Sequence, residues 1–168
     1  SFQLHTMKTS PHIAVITNIS PNHLDMHKSY EEYIDAKKNI MLYQNSDDIL
    51  VVNMDNDVTK KIGKEAKGEM KGFGWDSSYY TYTENGEIFS GGKKIINTAD
   101  IKIPGNHNIE NYMAAITATD GLVSRKTVEY VAKNFGGVEH RIELVRTLNG
   151  IKFYNSSIDS SPNRTKNT

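Results

Sequence analysis

The chain has 168 residues, enough for one domain with its own hydrophobic core. Its 20 basic and 20 acidic residues cancel and no basic block stands out, which argues against nucleic acid or an anionic membrane as a partner. There is no cysteine, which excludes disulfides and thiolate metal sites. No apolar stretch approaches membrane-spanning length and no signal peptide is visible, so we predict a cytoplasmic monomer without membrane insertion.

The stretch from Asn18 to Tyr43 is the first candidate site. The β-branched run HIAVIT, residues 12–17, predicts a strand that leads through a polar loop into a helix. The loop carries three potential metal ligands spaced by single residues: His23, Asp25 and His27. The alternative interpretation of this loop is a set of polar side chains that hydrogen-bond their own backbone.

The helix that follows places a lysine on its apolar face. Tyr30, Tyr33, Ile34, Ile40 and Met41 form one stripe at helical spacing, and Lys37 falls on the same stripe. One interpretation is a lysine that buries its methylenes and extends its ammonium to water. The other is a lysine held in a site, where burial disfavours the charged form. A neutral lysine amine can take up carbon dioxide and become a carbamate, which suits a hard cation.

The next residues predict alternating strands and helices. ILVVN, residues 49–53, is a continuous apolar run typical of a strand buried on both faces. A short helix is predicted over residues 58–67 with Asp57 as its cap, and a strand over residues 70–74. Between Tyr79 and Ile103, short alternating runs are separated by Asn-Gly and Gly-Gly pairs, which predict a small antiparallel meander at the edge of a larger sheet.

IPGNHNIENYMAAITATDGL, residues 103–122, is the second candidate site. We predict a helix capped by Asn106 and ending near Gly121. Asn108 and Asn111 lie together beside its apolar face, and two side-chain amides there can hydrogen-bond a flat heterocycle. Capping and solvated surface are the alternative. A further helix over residues 125–135 and a hairpin around Asn149-Gly150 follow.

These elements together predict an α/β layered domain with a mostly parallel central sheet and a small antiparallel meander. Composition and periodicity alone predict this fold class, one candidate metal site and one candidate nucleotide site.

Six motifs in this order carry a resemblance to a known family. They are SFQL at residue 1, NISPNHLDMH at 18, YIDAKKNI at 33, VVNMDND at 51, IPGNHNIENYMAA at 103 and HRIELV at 140. Nearly the whole chain resembles the central, P-loop NTPase-like domain of the Mur ligases. On this resemblance, residues 1–155 are that domain without its N-terminal phosphate-loop part. Residues 156–168 are then a linker into a missing C-terminal domain.

The resemblance implies an ATP-dependent amide ligase of peptidoglycan synthesis. Members with the most similar final segment add D-glutamate to a UDP-linked muramoyl substrate through an acyl phosphate. The implied cofactors are ATP and Mg²⁺, which neutralises clustered phosphate oxygens. Without the phosphate loop, we expect the 168 residues alone to be inactive.

The resemblance also assigns roles to individual residues. His23 resembles the family's magnesium-binding histidine, and Lys37 resembles the lysine whose carbamate supports a second magnesium, so both are candidate catalytic and metal-binding residues. Asn108 and Asn111 resemble the pair that faces the adenine. Arg141 resembles the arginine that reaches the nucleotide.

The chain departs from the family pattern at two positions. Ser156 stands where an aspartate normally contacts the ribose region, which puts that contact in question. Ile158 stands where many members have lysine. Two alternatives therefore stay open: a non-catalytic Mur ligase paralogue, and a metal-dependent hydrolase built on His23, Asp25, His27 and a carbamylated Lys37.

Overall fold

The computed structural model describes residues 2–21, 27 and 29–157. The helices within them are α1 (Phe2–His5), α2 (Tyr30–Leu42), α3 (Asp57–Gly63), α4 (Asn106–Ala118) and α5 (Arg125–Asn134). The strands are β1 (Ile13–Ile16), β2 (Ile49–Asn53), β3 (Glu69–Gly74), β4 (Thr81–Glu84), β5 (Glu87–Ser90), β6 (Lys93–Asn97), β7 (Glu143–Leu148) and β8 (Ile151–Asn155).

A six-stranded sheet organises the domain. Its strand order is β1-β2-β3-β4-β5-β6, and β1 to β4 run parallel to one another. The crossovers from β1 to β2 and from β2 to β3 pass through α2 and α3, the arrangement that parallel neighbours require. The predicted α/β class with a mostly parallel sheet is confirmed.

The two faces of the sheet bury different cores because side chains alternate along each strand. On one face, Leu50 and Val52 of β2 pack in a cluster with Tyr33 and Met41 of α2 and Ile62 of α3. On the other face, a second cluster is built around α4. Its fully or nearly buried members are Val51, Phe73, Ile88, Ile96, Tyr112, Met113, Ala114, Ile116 and Ala132.

The predicted meander is also confirmed. β4, β5 and β6 pair antiparallel at the far edge of the sheet, with turns at Asn85-Gly86 and Gly91-Gly92. A chain of buried hydroxyls ties this part to α4. Thr81 and Ser90 share a hydrogen bond of 2.8 Å, and the Thr117 hydroxyl lies 2.8 Å from that of Thr81.

Both predicted helix caps are wrong by one residue. The cap of α3 is Asn56, whose side chain accepts a hydrogen bond from the Thr59 N–H at 3.0 Å, and Asp57 is the first helical residue. The residue preceding α4 is Gly105, and Asn106 makes no cap hydrogen bond. Gly105 has φ of 100°, and a Cβ there would lie 2.7 Å from the His107 ring. Glycine is therefore required at this position both by the backbone and by close packing.

The final hairpin forms a separate two-stranded sheet. β7 and β8 pair antiparallel around Asn149-Gly150, as predicted, with an irregularity between Leu144 and Arg146. The chain reaches this hairpin from α5 through residues 135–142. The hairpin and the end of α5 thereby lie beside the start of α4, and this arrangement forms the candidate site.

Candidate nucleotide cleft

The carboxyl ends of β1, β2 and β3 meet at one edge of the sheet and are linked by polar contacts. Asn56, after β2, donates to the side-chain oxygen of Asn18, after β1, at 3.3 Å. The Asp55 carboxylate accepts the backbone N–H of Trp75 at 2.7 Å. The Trp75 indole N–H in turn donates to Glu110 of α4 at 3.0 Å. Ligands of open α/β sheets bind outside this edge, and α4 begins here.

A cleft of about 690 Å³ lies between the start of α4, the end of α5 and the β7–β8 hairpin. It brings together all three residues predicted to contact a nucleotide: Asn108, Asn111 and Arg141. Arg141 is 30 positions from the nearer asparagine in the sequence, so only the tertiary fold places them in one cleft.

The two asparagines form the polar part of one wall. Asn108 is half-buried and donates from its amide nitrogen to the Pro104 carbonyl at 2.6 Å. Asn111 is exposed and donates to the Asn108 side-chain oxygen at 3.4 Å. The exposed Ala115, one turn further along α4, leaves room beside them for a flat group.

The rest of the cleft is apolar or basic. Val131 and Phe135 at the end of α5 are both partly exposed to the cleft. Tyr112 lies beneath them and donates its hydroxyl proton to the Val131 carbonyl at 3.3 Å, and burial raises the pKa of this phenol. Among the residues that the structure describes, four basic side chains line the cleft: Lys102, His107, Arg141 and Lys152. None of the described lining residues is acidic. Such a cleft suits an aromatic ring that carries negative charge.

Several of these lining residues were missed by sequence reasoning. His107, Lys102, Lys152 and Phe135 have no distinguishing local pattern, and they meet only because α5 returns to α4. The backbone N–H of Lys102 donates to the Ala132 carbonyl at 3.0 Å, which fixes this return. The Gly136-Gly137 pair after α5 was the one available signal for a chain reversal here.

The predicted metal site between Asn18 and Tyr43 is centred on Tyr33 of α2. The Lys37 ammonium lies 5.5 Å from the centroid of the Tyr33 ring, and the side chain is half-buried. The His27 ring packs edge-on against the same tyrosine, with 5.5 Å between ring centroids. The predicted helical stripe is confirmed, since Tyr33 and Met41 are buried and Ile34 and Ile40 pack against their cluster.

The predicted metal ligands are only partly within the described structure. His23 and Asp25 lie outside the described residues. Among residues 2–21, 27 and 29–157, no group of three or more histidine, aspartate or glutamate side chains forms a metal site. The roles predicted for His23 and Lys37 therefore stay predictions. Over the same residues, no helix is both long and apolar enough to cross a membrane.

The fold and the cleft together define an open-sheet α/β domain with a cleft between α4, α5 and the β7–β8 hairpin. The family model of the Mur ligase middle domain matches residues 2–119 of the chain. The chain belongs to the Mur ligase family, which confirms the resemblance carried by its motifs.

Relatives from two bacteria are similar over almost the whole chain. The UDP-N-acetylmuramoylalanine--D-glutamate ligase of Ruminiclostridium cellulolyticum is 55% identical, and that of Acetivibrio thermocellus is 53% identical. Each alignment covers 98% of this chain and 37% of the relative, so the chain spans rather more than a third of these relatives' length.

Solved Mur ligase structures share the fold. MurF from Acinetobacter baumannii has a TM-score of 0.78 at 19% identity, over 94% of this chain and 36% of that one. MurC from Thermotoga maritima has a TM-score of 0.71 at 22% identity, over 94% and 37% of the two chains. MurF from Thermotoga maritima, solved in complex with ADP, has a TM-score of 0.70 at 17% identity, over 94% and 38%.

Proposed function

We propose that this chain is the nucleotide-binding middle part of a cytoplasmic, monomeric ligase. This enzyme would join D-glutamate to UDP-N-acetylmuramoyl-alanine in peptidoglycan synthesis, using ATP and Mg²⁺. Residues 1–155 would form the middle domain and residues 156–168 would lead into a further domain. The names of the relatives at 55% and 53% identity support the substrate and the amino acid added.

The observation that carries the proposal is the meeting of Asn108, Asn111 and Arg141 in one cleft. The chemistry of its lining fits ATP. Val131, Phe135 and Ala115 offer apolar surface to a purine. The basic side chains offer charge to phosphate oxygens, and none of the lining residues that the structure describes is an acidic residue that would repel them.

Within this cleft, each residue type has one task. The Asn108 and Asn111 amides would hydrogen-bond the polar edge of the adenine, because a side-chain amide both donates and accepts. The Arg141 guanidinium would contact the ribose or phosphate oxygens, where its fork of donors binds oxygen pairs. ATP supplies the phosphoryl group that activates the substrate carboxylate.

The magnesium part of the proposal concerns His23 and Lys37. A lysine ammonium repels a cation, so Lys37 would serve only after conversion to a carbamate, as inferred from its place on the apolar stripe. Lys37 is half-buried and its ammonium lies 5.5 Å from the centroid of the Tyr33 ring, so the amine is partly shielded from water, as the carbamate interpretation requires. His23 would provide a nitrogen ligand.

The cleft assignment is tested by steady-state kinetics of the full-length ligase. The double variant Asn108→Ala, Asn111→Ala should raise KM for ATP about tenfold or more, since each lost hydrogen bond contributes about 0.5–1.5 kcal/mol. KM for D-glutamate should stay unchanged. Asn97→Ala, which removes an exposed side-chain amide at the end of β6, is the matched control. An unchanged KM for ATP in the double variant would refute the adenine assignment.

A further inference from the structure

The turn that carries Arg141 has an unusual backbone. His140 has φ of 66° and Ile142 has φ of 49°, so both neighbours of Arg141 are in the left-handed region. Residues other than glycine rarely adopt this conformation, and a β-branched residue such as isoleucine is a genuine outlier there. A backbone of this kind persists only where the surrounding structure fixes it.

The end of β8 and the start of β7 supply the contacts that fix this turn. The Asn155 side-chain amide lies 2.9 Å from the His140 Nδ1. The Ile142 backbone N–H donates to the Ser156 hydroxyl oxygen at 3.4 Å. The Glu143 carboxylate accepts the backbone N–H of His140 at 2.9 Å. Each of the two left-handed residues is therefore held by a side chain at the end of β8.

Within the described residues, the contacts that hold Arg141 are made by its backbone. Its N–H donates to the Val138 carbonyl at 3.1 Å, which closes the turn. Its side chain is exposed and lines the cleft. In the part of the chain that the structure describes, no group accepts a hydrogen bond or forms an ion pair with the guanidinium. The direction in which this side chain leaves the backbone therefore depends on the conformation of the turn.

We propose that His140, Asn155 and Ser156 are positioning residues that hold Arg141 toward the nucleotide. This inference rests on the proposed function, because it takes the cleft as the nucleotide site. The Asn155 amide fixes the imidazole of His140, and the Ser156 hydroxyl fixes the amide of Ile142. Together they hold the turn from both sides of the arginine. None of the three needs to touch the nucleotide for this effect.

The test is a double-mutant cycle on KM for ATP in the full-length ligase. Asn155→Ala should raise KM for ATP about three- to tenfold, the factor that corresponds to one net hydrogen bond. His140→Ala removes the same contact from an exposed side chain and should give a similar rise. KM for D-glutamate should not change in either variant. Asn97→Ala again serves as the control.

The cycle is completed with Arg141→Ala. If Asn155 acts through Arg141, the double variant Asn155→Ala, Arg141→Ala should be no worse than Arg141→Ala alone, within about twofold. If the factors by which Asn155→Ala and Arg141→Ala raise KM for ATP multiply in the double variant, the proposal is overturned. An unchanged KM for ATP in both Asn155→Ala and His140→Ala would also overturn it. If Asn155→Ala lowers the thermal midpoint, His140→Ala provides the decisive cycle.

The proposed function is tested separately in the same assay. If the variant Asn108→Ala, Asn111→Ala raises KM for ATP while Asn155→Ala and His140→Ala do not, the cleft assignment stands and the positioning role fails. If the double asparagine variant leaves KM for ATP unchanged, the assignment of the cleft as the nucleotide site fails, and the positioning role fails with it.

Discussion

Asp120, two residues after the end of α4, pairs with the buried Lys71, and we expect its replacement to destabilise the fold. Its carboxylate accepts a hydrogen bond from the Lys71 ammonium at 3.0 Å and another from the Tyr80 hydroxyl. Lys71 is 9% exposed and its ammonium lies 4.7 Å from the centroid of the Tyr80 ring. Asp120→Asn removes the negative charge while keeping the size of the side chain.

The expected loss follows from the contacts. A hydrogen bond between charged groups contributes about 1.5–3 kcal/mol. The Asp120 side chain is 38% exposed, so solvent screens part of this interaction, and Glu69 remains 3.9 Å from the same ammonium. We therefore expect the free energy of unfolding to fall by about 2 kcal/mol. For a chain of this size, the thermal midpoint should fall by about 4–8 °C.

The pH dependence of the stability that Asp120 and Lys71 contribute has a defined sign. The hydrogen bond from Tyr80 and the charge of Lys71 outweigh the effect of burial and lower the pKa of Asp120. The ionised carboxylate therefore stabilises the fold above the ordinary carboxyl pKa. This stabilisation is lost as pH falls through the lowered pKa. Burial alone would lower the pKa of Lys71, but its bonds to Asp120 and Tyr80 raise it above the ordinary 10.5. The charged Lys71 therefore stabilises the fold below pH 10.5, and this stabilisation is lost as pH rises through the raised pKa.

The assay is thermal unfolding, followed by circular dichroism, from pH 2 to pH 8. The difference between wild type and Asp120→Asn should be constant near neutral pH and should shrink in acid. Glu129→Gln is the matched control, because Glu129 pairs with Arg125 on the exposed side of α5 and should contribute less than about 0.5 kcal/mol. Equal midpoints for the two variants, with superimposable pH profiles, would refute the reasoning.

Three further predictions follow from the site and the core. Lys37→Ala in the full-length ligase should abolish activity. A short added carboxylate should restore part of the activity, whereas bicarbonate should not. Unchanged turnover would show that Lys37 is a packing residue. Thr81→Val should lower the free energy of unfolding by about 1–3 kcal/mol in a denaturant titration, because it leaves the buried Ser90 hydroxyl without its partner. The Thr117 hydroxyl keeps its hydrogen bond of 2.6 Å to the Met113 carbonyl. A stability equal to wild type would contradict a stabilising role for the chain of hydroxyls. The 168 residues alone should release no phosphate from ATP in the presence of D-glutamate and UDP-N-acetylmuramoyl-alanine, and measurable substrate-dependent release would show that the predicted missing parts are unnecessary.

The sheet and its helices were predictable because their signals are local. ILVVN is buried on both faces in a parallel sheet, and a continuous apolar run of this length has few other structures available to it. The Asn-Gly and Gly-Gly pairs marked the hairpins because tight turns need left-handed residues. The caps were harder to predict. Asn56 and Asp57 are adjacent, and both residue types are favourable helix caps. The structure is needed to show that the Asn56 side chain accepts the hydrogen bond from the Thr59 N–H.

The cleft was predictable only in part. Asn108 and Asn111 are one helical turn apart, so their proximity could be inferred from periodicity. Arg141 was predicted to contact the nucleotide only from the family resemblance. Nothing in its own sequence neighbourhood indicates which helix it approaches. Lys71, Tyr80 and Asp120 could not be grouped from the sequence at all, since 40 or more positions separate Asp120 from both partners. Contacts of this kind depend on how α4 crosses the sheet.

The central claim is that this chain serves a ligase that adds D-glutamate. Its most direct test is phosphate release by the full-length protein with ATP, Mg²⁺ and UDP-N-acetylmuramoyl-alanine, in the presence and absence of D-glutamate. We predict release that requires D-glutamate and that is not supported by L-glutamate. Release that proceeds equally without any added amino acid, or that requires a different one, would contradict the account.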